Sequence, residues 1–250
     1  MGENRQEASH QLLCEIVSCP EIAKAGGDDG HPCANIVSFQ DRLPGPFQPP
    51  TPWVGRVSQA PIQFIGSNPN ISGREHYPTT DWPEGDLIAF FDGAFEGKEA
   101  QIRDGIRPRK ADGSYGGWVR TWAGVRGRAR ELLDREPVPG RDYAMTEIVH
   151  CRSWNEIGVE DARSHCADLY LERILEQSAA RVVVGLGAHV GRWLQERWGL
   201  GEKRVSPLTI GGQTRMVALL PHPTRFGPKT FASVMPDELD ALKLCAQADH

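Results

Sequence analysis

The sequence predicts an α/β protein, a three-layer α/β/α sandwich around a central four-stranded parallel sheet. Three observations predict it. Four short apolar runs have the β-branched content and flanking turn residues of buried parallel strands: Ile62 to Gly66, Tyr143 to Val149, Arg181 to Gly185 and Arg215 to Leu220. Helical patterns lie between them, over Trp118 to Leu133, Asp161 to Gln177 and Val190 to Trp198. Strands that alternate with helices imply a parallel sheet covered on both faces. The third observation is placement: each run is followed at once by residues suited to chemistry, and the ligand site of such a sheet lies outside the carboxyl ends of its strands.

Taken in order, the chain opens with a helix-like run, Ser9 to Ser18, that ends at Cys19. Residues 43–56, LPGPFQPPTPWVGR, are rich in proline and read as an extended linker, so residues 1–56 form an N-terminal helix, a cysteine segment and a linker. The first strand, IQFIG, runs into Ser67-Asn68-Pro69-Asn70. Residues 74–117 are too long for a simple connection, and their Gly, Pro and charge content suggests a surface insertion. The second strand leads through Glu147 to Cys151, the third into Leu186-Gly187, and the fourth into Pro221-His222-Pro223-Thr224. All of this fits one domain over residues 1–250.

The net charge of −5 argues against a nucleic-acid surface spread over the whole molecule. It leaves room for a local basic groove, and the stretch from Lys98 to Arg130 supplies one with Arg103, Arg107, Arg109, Lys110, Arg120, Arg126, Arg128 and Arg130. No apolar run approaches the roughly 20 residues that cross a bilayer. The first residues show no basic start followed by a long apolar core, so a cytoplasmic protein with no membrane partner is expected, as a monomer.

Six cysteines in such a chain argue for reduced thiols and a metal or cluster site over a disulfide framework. A 4Fe-4S cluster needs four thiolates, and Cys19, Cys33, Cys151 and Cys166 are the favoured set, with Cys14 as substitute and zinc as the less favoured occupant. Cys14 also suits a buried core position. His222, held between two prolines at a strand end, has the direction to donate from Nε2 to an oxygen that becomes anionic. Asn68 is neutral and cannot act as a base, but it can orient a water, and the amides of Gly66 to Asn68 can grip a carbonyl oxygen.

Read together, the four strand-end motifs resemble the uracil-DNA glycosylase superfamily, in particular its iron–sulfur-containing branch. The blocks TEIVHC…C, VVVGLGAHVGRWL and LLPHPT follow one another in the order that branch shows, and the likeness runs from about Leu12 to Ala241 outside the insertion. It implies hydrolysis of the N-glycosidic bond of a uracil or another deaminated or modified base in DNA. Asn68 then corresponds to the water-orienting residue and His222 to the histidine that stabilises charge on the departing base. Trp118 falls near the aromatic that stacks on the flipped base, and Thr224 and Arg225 fall on the loop that enters the minor groove. One donor to the developing oxyanion is worth roughly 3 to 4 kcal/mol, and stacking offsets the few kcal/mol of base flipping.

Two departures stand out. Ser67 occupies a position where that branch usually has a carboxylate, and Asn70 replaces a glycine in the floor of the pocket. At Glu147 the pattern has an asparagine that reads the base edge. An ionised Glu147 would repel uracil O4; a protonated one imitates the amide, given a pKa raised by burial. Otherwise it reads an edge with two donors or serves as the base for water. A non-catalytic binder of modified DNA, and a zinc-stabilised nucleotide-binding protein, are the competing readings.

Overall fold

A computed structural model describes residues 2–248, with the side chains of residues 6–248. In chain order the elements are α1 (Gly2–Val17), α2 (Glu21–Ala25), α3 (Ala34–Asp41), β1 (Trp53–Val54), β2 (Ile62–Gly66), α4 (Glu84–Phe91), β3 (Ile102–Arg103), β4 (Arg107–Pro108), α5 (Arg120–Leu133), β5 (Tyr143–Glu147), α6 (Val159–Gln177), β6 (Val182–Leu186), α7 (Ala188–Trp198), β7 (Val205–Ile210), β8 (Gln213–Leu220), α8 (Phe231–Val234) and α9 (Leu239–Gln247).

The four expected strands are β2, β5, β6 and β8. They form a parallel core in the order β5-β2-β6-β8. All residues of β2, β5 and β6 are buried, because helices cover both faces and leave no solvated side for polar residues to alternate onto. Ile65, Val183, Val217 and Leu219 pack into one apolar core with α1, α6 and α7. Ile62, Phe64, Val182, Val184, Ala218 and Leu220 point the other way, into a second core with α5 and α9. This period-2 split is what makes three layers. A fully buried side chain such as Phe64 contributes about 1.5–3 kcal/mol through the water-exposed area it loses.

The sheet has six strands where four were expected. An antiparallel strand closes each edge: β1 pairs with β5, Trp53 opposite Thr146, and β7 pairs with β8. Both lie in segments with weak strand signals. β1 is two residues inside the proline-rich stretch, fixed because Trp53 is fully buried and Thr146 Oγ1 donates to Pro52 O at 2.7 Å. β7 is half exposed and contains Pro207, which an edge strand tolerates since one side of its ladder has no partner.

Register positions the chemistry. Gly66 lies beside Glu147 at the carboxyl ends of β2 and β5. Beyond the strands the pairing continues, with Ile148 N donating to Gly66 O at 2.9 Å and Val149 N to Ser67 O at 3.0 Å. Residues 74–117 carry α4 and the β3-β4 hairpin. Among the described residues no helix is long and apolar enough to cross a membrane.

Candidate functional site

At the carboxyl ends of the parallel strands lies a cleft of about 480 Å³, lined by Gly66, Ser67, Asn68, Asn70, Glu147 and His222 among others. Three of the four strand-end motifs thus reach one space, and Leu186 brings the fourth. The loop after β2 is braced by the loop after β5: Ser153 N donates to Pro69 O at 3.1 Å and Ile71 N to Ser153 O at 3.3 Å. Asn68 Nδ2 donates to Pro69 O at 3.0 Å, which restrains the amide.

Glu147 is the unusual member. Its side chain is buried, and Oε2 has no hydrogen-bond partner. Burial pushes its carboxyl up to about 8, with a smaller upward push from the charge of Glu156. A carboxyl raised this far favours the protonated form near neutral pH, which carries one donor and one acceptor. It also needs a glycine beside it, since a Cβ on Gly66 would lie 2.0 Å from Glu147 Oε2.

His222 sits on the rim with part of its ring open to solvent. Thr224 Oγ1 lies 2.8 Å from Nδ1, and Thr224 N donates to Nδ1 at 3.4 Å. An Nδ1 that accepts leaves the ring proton on Nε2, and partial burial lowers the pKa of the ring while Glu156 opposes it. The result is a neutral histidine that presents a single N–H.

Other expected residues fall elsewhere. Trp118 is 65% exposed and does not line the cleft, whereas Trp122, within α5, does. Thr224 serves His222 from below, and Arg225 lines a separate surface groove beside the exposed Phe226. Of the basic stretch, Arg109, Arg126, Arg128 and Arg130 are engaged in ion pairs, Arg128 with Glu131 at 2.9 Å.

Sequence reading missed the opposite wall. Tyr77, Phe90 and Phe91 from residues 74–117 line the cleft and pack edge to face, with centroids 5.5 Å apart for Tyr77–Phe90 and 5.0 Å for Phe90–Phe91. Arg152 ties this wall to the first motif: it pairs with Glu75 at 2.7 Å, lies 4.1 Å from the Tyr77 ring centroid and donates through Nε to Asn70 O at 2.8 Å. The aromatic density of residues 77–91 was the available signal.

Cys19, Cys33, Cys151 and Cys166 line a second, small cavity together with Glu21, His150, His165 and Tyr170. Gly158 lets the segments meet, because its φ of 74° suits glycine and a Cβ there would come 2.5 Å from Ile36 N. Burial raises the Cys33 thiol to about 11 and Cys166 to about 12, and raises Cys151 well above its ordinary value. In the structure as it stands these buried thiols are therefore held in their neutral form, and a nearby cation would be needed to ionise them. Tyr170 Oη and His150 N donate to Cys19 Sγ and Cys166 Sγ, at 3.1 and 3.4 Å. Cys14 stands apart, against Glu84 of α4.

Among the described residues, the group of three ligand atoms within 4.8 Å of one another is not of cysteines but of Glu21, His31 and His165. The spacing of the thiols is therefore not the compact one of a single zinc ion with three or four cysteine ligands. Nor is the triad an open metal site as it stands. Cys33 N donates to His31 Nδ1 at 3.1 Å, so that ring carries its proton on Nε2, aimed at Glu21 Oε2 3.0 Å away. Glu21 is held down to about 2, first by Lys24 and then by His165. The triad acts as a carboxylate hub that anchors the segments bearing Cys19, Cys33 and Cys166.

Neither the known protein-family models nor the curated proteins give a match to this chain.

Proposed function

We propose that the protein is a DNA glycosylase that hydrolyses the N-glycosidic bond of uracil or another deaminated or modified base, in base excision repair. One observation carries this reading: Asn68, Glu147 and His222 share one cleft at the carboxyl ends of parallel strands, with a neutral acid and a neutral histidine as its donors. Cleavage of the bond leaves positive charge on the sugar and negative charge on the base. A site for it must hold the base, stabilise the base anion and place a water, without needing a covalent nucleophile.

In this reading the base enters the cleft between the aromatic wall of Tyr77 and Phe90 and the motif Gly66 to Asn70. Protonated Glu147 meets an edge with one acceptor and one donor, such as O4 and N3–H of uracil. His222 Nε2–H donates to the oxygen on which charge develops, and Asn68 Oδ1 orients the water. Exclusion of solvent by the aromatic wall strengthens each of these contacts. Cys19, Cys33, Cys151 and Cys166 are the residues that would hold a 4Fe-4S cluster. When bound, the cluster would act as a tie between the N-terminal segment and the loop after β5.

The test is release of free base from oligonucleotides that contain one deoxyuridine, deoxyinosine or deoxyxanthosine, with alkaline cleavage of the resulting abasic strand as readout. No strand cleavage with any of them, beside a control enzyme that cuts, refutes the catalytic reading. Ser67, where a carboxylate would serve catalysis, favours one alternative, a binder of modified bases that does no chemistry. That alternative requires tight binding with no released base.

A further inference from the structure

Hydrolysis needs a group that takes a proton from the attacking water, and none of Ser67, Asn68, Glu75, Glu147 and His222 supplies it. Asn68 and Ser67 are neutral and have no basic group at ordinary pH. Glu147 carries its own proton at neutral pH because it is buried. Glu75 is committed to Arg152 at 2.7 Å. His222 turns its proton, not a lone pair, toward the cleft.

Glu156 remains. It lines the same cleft, is solvent-exposed, and makes no ion pair or side-chain hydrogen bond among the described residues. Its backbone is held in the left-handed region at φ 57°, directly after Asn155 at φ 52°. Non-glycine residues rarely adopt that conformation, and two in succession mark a loop whose shape is imposed by its surroundings. The imposing contacts are visible: Ser153 Oγ donates to Ile157 O at 2.7 Å, and Ser153 is bonded through its backbone to Pro69 and Ile71. The loop that presents Glu156 is thereby fastened to the loop that presents Asn68. Its carboxylate is also close enough to act electrostatically on both Glu147 and His222. The remaining titratable or charged groups on the cleft are Glu75, Tyr77 and Arg152.

We infer that Glu156 is a catalytic residue, the general base that accepts a proton from the water oriented by Asn68. The inference rests on the glycosylase reading. In the step it describes, the bond from C1′ to the base nitrogen breaks and its electron pair leaves with the base. The water oxygen forms the new bond to C1′, and one of its protons passes to the Glu156 carboxylate. The base anion, held by His222 Nε2–H, takes a proton from solvent on release, and Glu156 returns its proton to solvent. Two carboxyl groups in one cleft then have two roles, Glu147 buried against Gly66 and Glu156 exposed on the loop fastened to Asn68.

The experiment compares wild type, Glu156→Gln and Glu156→Ala in single-turnover base release from deoxyuridine, deoxyinosine and deoxyxanthosine oligonucleotides, with and without sodium azide. Affinity for the same DNA is measured in parallel. Azide attacks C1′ without any proton to lose, so it bypasses a missing base but not a misfolded site. The expected result is a loss of roughly 10²–10⁴-fold in rate for Glu156→Gln with DNA affinity retained. Azide should restore Glu156→Ala and leave an azido sugar on the strand. A Glu156→Gln enzyme as fast as wild type, or a slow Glu156→Ala enzyme that binds DNA and gains nothing from azide, overturns the assignment to Glu156. A wild-type protein that releases none of the three bases overturns the glycosylase reading itself.

Discussion

Gly66 and Glu147 are register partners on neighbouring parallel strands, and the carboxyl group of Glu147 fills the space that a side chain on residue 66 would occupy. The glycine makes the buried acid possible, and Glu147 Oε2 is, with Gln101 Oε1, one of two buried side-chain atoms on the cleft without a hydrogen-bond partner among the described residues. A position that reads in sequence as an oddity is thus half of a fitted pair.

The pairing predicts a coupling. Gly66→Ala has to displace the Glu147 carboxyl, at a cost of about 1–3 kcal/mol typical of overpacking. In a Glu147→Ala background that cost should largely vanish, because the obstructing atoms are gone. Denaturant unfolding of the four proteins of this cycle gives the coupling energy directly. Additive effects would mean that the strand backbone, and not Glu147, resists the methyl group.

Burial of Glu147 also predicts a pH signature. The folded protein keeps this proton up to about 8, whereas an ordinary glutamate loses it near 4.5. Between those values the folded state binds more protons than the unfolded one, so stability falls as pH rises, by about 1.4 kcal/mol per pH unit at most. Above the folded value both states are ionised and the slope disappears. Buried His150, lowered to about 4, acts in the opposite sense, since its contribution is gained as pH rises toward 6.5. Comparison with Glu147→Gln cancels the histidine. The Tm advantage of the glutamine variant should grow from pH 5 to pH 8; parallel Tm curves would rule out a protonated Glu147.

His222 should behave as an oxyanion donor. His222→Ala should slow base release by about 10²–10³-fold, the usual cost of one such donor. Thr224→Val removes the hydroxyl 2.8 Å from Nδ1 but keeps the backbone N–H, so its loss should be smaller. Equal losses in the two variants would assign Thr224 a direct part in binding DNA. Single-turnover rates and DNA affinity measured together make the distinction.

The cysteines divide into two groups. On the proposal that these four thiols hold a 4Fe-4S cluster, serine at Cys19, Cys33, Cys151 or Cys166 should lower bound iron and sulfide in anaerobically purified protein and depress Tm. Serine at Cys14 or Cys245, which lie off the cavity, should do neither. Wild-type protein purified anaerobically without iron and sulfide would overturn the cluster proposal.

A substitution at Glu147 separates the possible specificities. Glu147→Asn should increase excision of uracil if the native cleft is shaped for a different base. Unchanged or lower uracil release would favour a neutral glutamic acid that already reads the same edge. A base-release assay across the three oligonucleotides decides between them.

The parallel core was legible because β2, β5 and β6 are buried on both faces, and strands in that setting are mostly apolar wherever their partners lie. IQFIG and VVVG carry that requirement in their own residues. The strand-end motifs were legible for a related reason, since parallel topology gathers all carboxyl ends on one edge. β1 and β7 were not, because an edge strand is stabilised mainly by its partner: Trp53 and Pro207 become strand residues only once β5 and β8 are beside them. The aromatic wall and Glu156 belong to the same class. Their place in the cleft depends on how residues 74–117 fold back onto Arg152 and on a loop bent by bonds to Pro69, contacts between segments far apart in the chain. The sequence by itself determined the layers and the strand ends, through local burial and period. Tertiary structure alone decided which acid is buried, which tryptophan lines the cleft and which four thiols line one cavity, because desolvation and distance are properties of neighbours that the chain acquires only when folded.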